Sequence, residues 1–161
     1  MQTGDGTFTQ YVTVSQSAPI SRIPNGWSYT KAAAVPLVAL TAFACLDWLP
    51  SETAKDVKRR VIVSGASGGV GTWCVQLAKQ LCNSHVTAIC SGANVDFVRA
   101  LGADEVIDYK KADVARTLME RRPEGRKYDL FIDCVGGVDM FKYWVRSHKC
   151  TRHMHMLTGL A

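Results

Sequence analysis

Several features that would place a chain quickly are missing from this one. Its 161 residues contain no low-complexity tract, and its six cysteines (Cys45, Cys74, Cys82, Cys90, Cys134 and Cys150) form no Cys-x-x-Cys pair. Five of the six lie in apolar stretches, where cysteines read as small buried hydrophobes of a reducing compartment. No Gly-Lys pair occurs, which excludes the Gly-x-x-x-x-Gly-Lys-Ser/Thr loop of nucleoside-triphosphate enzymes. The net charge of +5 is not drawn into a basic stripe with interleaved aromatics, so no nucleic-acid partner is expected. The most apolar run, residues 32–46, contains Pro36 and falls short of the roughly 20 residues of a spanning helix, so no membrane span is expected. The first residues, Met1-Gln-Thr-Gly-Asp-Gly6, resemble neither a signal peptide nor a basic transit peptide. A cytoplasmic location follows as the expectation.

What is present is an alternation of strand and helix. Residues 61–63 form a short apolar strand that runs into Gly65-Ala-Ser-Gly-Gly-Val-Gly71. Val70, Cys74, Leu77, Ala78 and Leu81 then recur at helical spacing. Strands are predicted at 86–90, 105–109 and 128–135, with helices at 95–101 and 114–121 between them. Alternation at this spacing implies right-handed crossovers, hence an α/β fold with a Rossmann-like, doubly wound parallel sheet. Upstream, residues 6–14 alternate like a strand around Phe8, Tyr11 and Val12. Ser28 can cap a short helix carrying residues 32–34, and Pro36 suits the first turn of a second helix reaching about Trp48. That second helix is apolar nearly all round and is expected to be buried. After Trp144 the pattern stops, and residues 146–161 offer no apolar strand where a fifth should follow. They are expected to form a divergent, unstructured tail beyond an incomplete sheet.

The glycine turn is where this architecture brings backbone N–H groups to a phosphate. Gly68 and Gly69 allow close approach of a pyrophosphate, and Gly71 allows the helix to pack closely on the strand. The turn also fits Gly-x-x-x-Gly-x-Gly through Gly65, Gly69 and Gly71, a short-chain dehydrogenase pattern. None of Tyr11, Tyr29, Tyr109, Tyr128 or Tyr143 has the lysine four residues on that such enzymes carry. In an NAD site a carboxylate about 20 residues past the turn binds the ribose hydroxyls. Here the second strand ends in Ile89-Cys-Ser-Gly-Ala-Asn94, with no carboxylate. A small neutral residue leaves room for a 2′-phosphate, so NADPH is the expected cofactor. No metal site is expected: Cys150, His153 and His155 lack a fourth ligand. Asp129 and Asp133, flanking a buried strand, read as strand-end caps rather than as an acid–base pair.

Four motifs carry a resemblance. Gly65-Ala-Ser-Gly-Gly-Val-Gly71, Val86-Thr-Ala-Ile-Cys-Ser91, Leu101-Gly-Ala-Asp-Glu-Val-Ile-Asp-Tyr109 and Asp133-Cys-Val-Gly-Gly137 stand in the order and spacing of zinc-independent quinone oxidoreductases of the medium-chain dehydrogenase/reductase superfamily. Gly6-Thr-Phe-Thr-Gln-Tyr-Val12 and Ala32-Ala-Ala-Val-Pro-Leu-Val-Ala-Leu-Thr-Ala42 resemble the same family's entry into its cofactor domain. The resemblance implies that Thr41 lies near the nicotinamide and that Ser67, Gly68, Gly69 and Val70 bind the pyrophosphate through main-chain N–H groups. It implies that Ser91 faces the adenosine ribose and its 2′-phosphate, with Tyr109 packed near that phosphate. Asn94 stands where some members carry a basic residue. Val135 and Gly136 would contact the nicotinamide-side ribose.

The implied activity is NADPH-dependent hydride transfer to a small-molecule substrate, a quinone or conjugated carbonyl. No catalytic side chain is singled out. Family members are roughly twice as long and some are mitochondrial; the full-length proteins can form homodimers. The resemblance therefore implies a fragment, with residues 1–30 the end of a GroES-like substrate domain and 31–145 a partial cofactor domain. A non-catalytic nucleotide-binding or interaction protein, or an inactive truncated product, is the alternative reading.

Overall fold

The computed structural model describes residues 9–18, 20–49, 57–121 and 126–136, and the backbone of 151–156. The chain divides into two compact units, one ending at Ala33 and one beginning at Ala34.

The first unit contains α1 (Tyr29–Ala33), whose Lys31 N–H donates to the Ser28 hydroxyl, the expected cap. The strand expected over 6–14 is not formed by its described part, residues 9–14. Tyr11 is 89% exposed, and Val12 and Val14 are also open to solvent. An alternating pattern makes a strand only where a neighbouring strand supplies main-chain partners, and none pairs with these residues among those described.

The second unit opens with α2 (Pro36–Leu46), then β1 (Arg60–Ser64), α3 (Gly69–Gln80) and β2 (His85–Cys90). A 3₁₀ turn at Gly92–Asn94 leads into α4 (Val95–Ala100), followed by β3 (Glu105–Asp108), α5 (Val114–Glu120) and β4 (Tyr128–Asp133). A last strand, β5 (Thr151–Met156), completes a five-stranded sheet in the order β3-β2-β1-β4-β5. Every pairing is parallel. The expectation of an unstructured tail is therefore wrong for 151–156, which pair with β4 from Tyr128↔Thr151 to Asp133↔Met156. Strand pairing is a main-chain interaction, and an edge strand needs no continuous apolar run.

Alternate residues of each strand feed two cores, as a sheet covered on both faces requires. On one face Val61, Val63, Val86, Ala88, Leu130 and Ile132 pack with Cys74, Val75 and Ala78 of α3, Val98 of α4, and Ala42, Cys45 and Leu46 of α2. On the other, Ile62, Ile89, Ile107 and Phe131 gather Ala112, Val114 and Leu118 around α5, and Tyr128 joins this cluster from the first position of β4, its hydroxyl donating to Leu118 O. The expectation that α2 is wholly buried needs correction. Ala42, Cys45 and Leu46 are buried, but Leu37, Leu40 and Phe43 face solvent. A helix lying on one layer buries only the stripe that meets it, whatever its composition. The apolar stretch Tyr29–Leu46 is long enough to cross a membrane by length and composition. It is nonetheless interrupted between Ala33 and Pro36, and its second half supplies core residues.

The five described cysteines are free. Hydrogen bonding to Cys134 and Cys45, together with burial, pushes the Cys74 thiol well above its usual range, so it stays protonated.

Polar groups tie the strand beginnings together. Asp104 accepts from Val86 N–H at 2.8 Å and from the Lys79 ammonium, joining β2 to the end of α3. Asp129 accepts from Arg60 N–H at 2.8 Å, linking β4 to β1. Glu105 is shared by Arg60 at 3.6 Å, His85 at 3.4 Å and Arg121 at 3.7 Å. The Arg60 guanidinium lies 5.2 Å from the Tyr128 ring centre. Burial first, then Arg60, holds the His85 imidazole below its usual value, against the opposing pull of Asp104 and Glu105.

A lowered folded-state value means that the unfolded chain takes up a proton the folded chain refuses. The stability contributed by neutral His85 is therefore complete above its ordinary value of about 6.5 and is lost as pH falls toward the lower folded value. Calorimetric unfolding between about pH 7.5 and about pH 5.5 should show a fall in midpoint that is shallower in His85→Gln. Equal slopes in the two proteins would contradict this assignment.

Candidate nucleotide-binding site

Four strand ends meet at the carboxyl edge of the sheet. β1 runs into the turn 65–68, β2 ends at Ser91, β3 at Tyr109, and β4 at residues 134–136. The chain order reverses between β1 and β4, with β2 and β3 on one side of β1 and β4 and β5 on the other. This switch point is where open α/β sheets bind ligands.

The glycines at the turn answer to crowding. A Cβ on Gly71 would lie 2.2 Å from the Gly65 carbonyl oxygen and 2.8 Å from Ala66 Cα. Both are backbone atoms, so no side-chain movement relieves the clash. Gly65 has φ +68°, and its Cβ would fall 2.8 Å from Val135 Cγ2. The turn is closed by Gly68 N–H donating to Gly65 O and Ala66 N–H donating to Ile89 O. Val38 of α2 lies against Gly69, where an added Cβ would meet its Cγ1 at 3.3 Å.

This packing brings the amino end of α3 onto the strand end. The helix N-cap is Gly68, with no side-chain cap and no acidic residue in the first turn. The first α-helical bond is Thr72 N–H to Gly68 O, so the amides of Gly69, Val70 and Gly71 precede the helix's own acceptors. α5 begins quite differently, with Asp113 Oδ1 accepting from Ala115 N–H at 3.0 Å and Arg116 N–H at 3.1 Å. Ser91 also stands at an N-cap position, before the 3₁₀ turn, yet its hydroxyl makes no cap bond. Ser and Asp are strong capping residues; at this edge the cap positions make no side-chain cap bond.

The residues expected from the sequence fall into place unevenly. Ser67, Gly68, Gly69, Val70, Ser91, Tyr109, Val135 and Gly136 all lie at the four strand ends, with Tyr109 and Val135 exposed and Gly136 at φ +75°. Thr41 is on α2, and its hydroxyl donates to Leu37 O at 2.7 Å within its own helix. Asp133 is a strand-end cap, its Oδ1 accepting from Val135 N–H and Gly136 N–H at 3.0 and 3.2 Å. Asn94 does more than stand in for a charge. Its Nδ2 donates to Ser67 Oγ at 3.1 Å and to Ser91 Oγ at 3.3 Å, bridging the β1 and β2 ends. A contact across 27 residues has no local spacing signal, so sequence reasoning missed it. Lys110 directly follows Tyr109 at the end of the strand paired with β2, a placement that spacing along the chain does not reveal.

Among the described residues no group of three or more His, Cys, Asp and Glu is placed to hold a metal ion. Cys150 lies outside the described residues, as do the side chains of His153 and His155.

A parallel 3-2-1-4-5 sheet with an uncapped glycine turn at its switch point defines a Rossmann-type nucleotide-binding domain. The family model described as zinc-binding dehydrogenase matches residues 69–156, just over half of the chain. Human mitochondrial NAD(P)H oxidoreductase RTN4IP1 is 39% identical over 146 residues, which cover 86% of this chain and 35% of that protein. The trans-enoyl reductase pgmF of Aspergillus terreus is 41% identical over 140 residues, covering 86% of this chain and 36% of its own length. The crystal structure of the quinone oxidoreductase from Coxiella burnetii superposes with a TM-score of 0.60 at 30% identity, covering 78% of this chain and 35% of that one. The chain belongs to the zinc-binding dehydrogenase family, on its quinone-oxidoreductase-like side within the medium-chain dehydrogenase/reductase superfamily. It spans little more than a third of the length of these relatives.

The crowding at Gly71 yields a prediction about the turn itself. Gly71→Ala should lower the free energy of unfolding by about 1–3 kcal/mol or more, because overpacking against fixed backbone cannot relax. Gly68→Ala, whose Cβ would meet Gly65 O at 3.3 Å, should cost clearly less. Urea titration of both variants measures the difference.

Proposed function

We propose that this chain is the cofactor-binding part of an NADPH-dependent oxidoreductase that delivers hydride to a quinone or conjugated carbonyl. The observation that carries the reading is the pair of unused cap positions at the carboxyl edge: an uncapped α3 held against β1, and an uncapped Ser91 on the next strand. The first fits the pyrophosphate of a dinucleotide, since open N–H groups and the positive end of the helix dipole attract a diester anion. The second fits a phosphorylated ribose, since the β2 end carries a hydroxyl in place of a carboxylate.

On this reading the main-chain N–H groups of Ser67, Gly69 and Val70 hold the pyrophosphate, Gly68 shaping the turn with its own N–H committed to Gly65 O, and Ser91 and Tyr109 flank the 2′-phosphate of the adenosine ribose. Lys110 adds positive charge at the same edge. Val135, Gly136 and Thr41 belong to the nicotinamide end. The Thr41 hydroxyl proton is committed to Leu37 O, which leaves its oxygen as an acceptor. The nicotinamide supplies the hydride when bound; the residues of this chain bind and orient it. The related NAD(P)H oxidoreductase, enoyl reductase and quinone oxidoreductase support the reaction class.

Calorimetric titration of the 161-residue chain tests the assignment. NADPH should bind about tenfold or more tightly than NADH, the scale of a charge-assisted hydrogen bond. Ser91→Asp should abolish that preference by placing a carboxylate against the phosphate. Equal affinity for the two nucleotides would refute the role of Ser91, and no binding of either would refute the cofactor.

A further inference from the structure

We infer that Asn94 sets the hydrogen-bond polarity of the nucleotide site, by donating to Ser67 and Ser91 together so that both serine hydroxyl protons are left to face an acceptor-only group on the adenosine ribose. The inference rests on the proposed NADPH site and names the residue that makes it selective.

A serine hydroxyl has one proton and two lone pairs. When an amide N–H occupies a lone pair, the proton remains available for another acceptor. Asn94 Nδ2 makes this contact twice, at 3.1 Å to Ser67 Oγ and 3.3 Å to Ser91 Oγ, and both bonds are partly buried. Asn94 is itself anchored through its N–H to Ser91 O at 2.9 Å and sits at the end of the 3₁₀ turn that fixes its backbone. Neither serine spends its hydroxyl on a helix cap: Ser91 makes no cap bond, and α3 is capped by no side chain. The two hydroxyls belong to different strand ends, so a single amide makes them act as one donor pair.

An acidic residue beside the 91–94 turn gives the arrangement its purpose. Asp108 ends β3 beside Cys90 of β2, and its Oδ2 lies 2.5 Å from where a Gly92 Cβ would be. Its Oδ1 accepts from Lys110 N–H at 3.0 Å. A carboxylate beside this turn opposes a phosphate bound there. Two aligned hydroxyl donors counter it without a guanidinium or ammonium on the 91–94 turn. A phosphate monoester, which only accepts, gains from both donors. A ribose hydroxyl gains less, because it must place its own proton elsewhere.

The test compares wild-type chain, Asn94→Ala and Asn94→Asp by calorimetric titration with NADPH and NADH, and with 2′,5′-ADP and 5′-AMP as fragments. Thermal unfolding of each protein is recorded alongside. Asn94→Ala should weaken NADPH and 2′,5′-ADP by about tenfold while NADH and 5′-AMP change by less than about twofold. Asn94→Asp keeps the side-chain size but accepts the serine protons and adds charge, so it should reverse the preference in favour of NADH. A merely structural role would weaken all four ligands together with the unfolding midpoint, and that outcome overturns the inference. A preference retained in Asn94→Asp also overturns it, by showing that free serine protons are not what selects the phosphate. A wild-type chain that binds both nucleotides equally overturns the NADPH reading and this inference with it. A wild-type preference that survives in both variants overturns this inference alone.

Discussion

Helix α3 begins so close to the end of β1 that residue 71 has no room for a single carbon beyond its backbone. The Gly65 carbonyl fills that space, and Gly65 in turn adopts a positive φ with Val135 of the β4 end pressed against it. Three pieces of chain are thereby fixed at one point. The amino end of α3 is held over β1, the β4 turn is drawn in beside it, and Val38 of α2 closes on Gly69 from the helical layer. A longer side chain at 71 would lift the helix away from the strand. The N–H groups of its first turn would then no longer converge at the switch point of the sheet. The geometry proposed to bind phosphate is a consequence of this contact.

The two edges of the sheet use polar groups in opposite ways. Around the strand beginnings, Asp104, Asp129 and Glu105 are engaged by main-chain N–H groups or by Lys79, Arg60, His85 and Arg121. The buried or half-buried charges there are offset by ion pairs, although Arg60 Nε and Nη2, His85 Nδ1 and Glu105 Oε2 are left without a hydrogen bond among the described residues. Around the strand ends, two cap positions carry no cap bond, and Asn94 consumes lone pairs of two serines while sparing their protons. One edge pairs its charges internally, and the other leaves helix and hydroxyl donors open. That asymmetry favours an anionic ligand with several acceptors, in agreement with the mild positive charge of the whole chain.

The sequence made the central architecture readable because its signals are local. Apolar runs at β1, β2 and β4, helical spacing through Cys74, Leu77 and Ala78, and the glycine turn each declare themselves within a dozen residues. What stayed hidden depends on neighbours. Residues 9–14 carry a strand pattern without a described partner to pair with, whereas 151–156 lack an apolar run yet pair with β4 through the main chain. The composition of α2 pointed to full burial, but only the stripe of Ala42, Cys45 and Leu46 meets the layer beneath. At the site, the position of Ser91 was legible from its distance past the turn. Its link through Asn94 to Ser67, and the place of Lys110 on the adjacent strand end, exist only once parallel strands are laid side by side.

If the glycine turn and the β2 end form one nucleotide cradle at the carboxyl edge, NADPH must perturb both together. Amide chemical-shift mapping of the chain during addition of NADPH tests it most directly. Shifts should concentrate at Ser67–Gly71 and Ser91–Asn94, with His85, Glu105 and Arg60 at the opposite edge unmoved. Binding that shifts the opposite edge, or that leaves Gly69, Val70 and Ser91 unchanged, would contradict it.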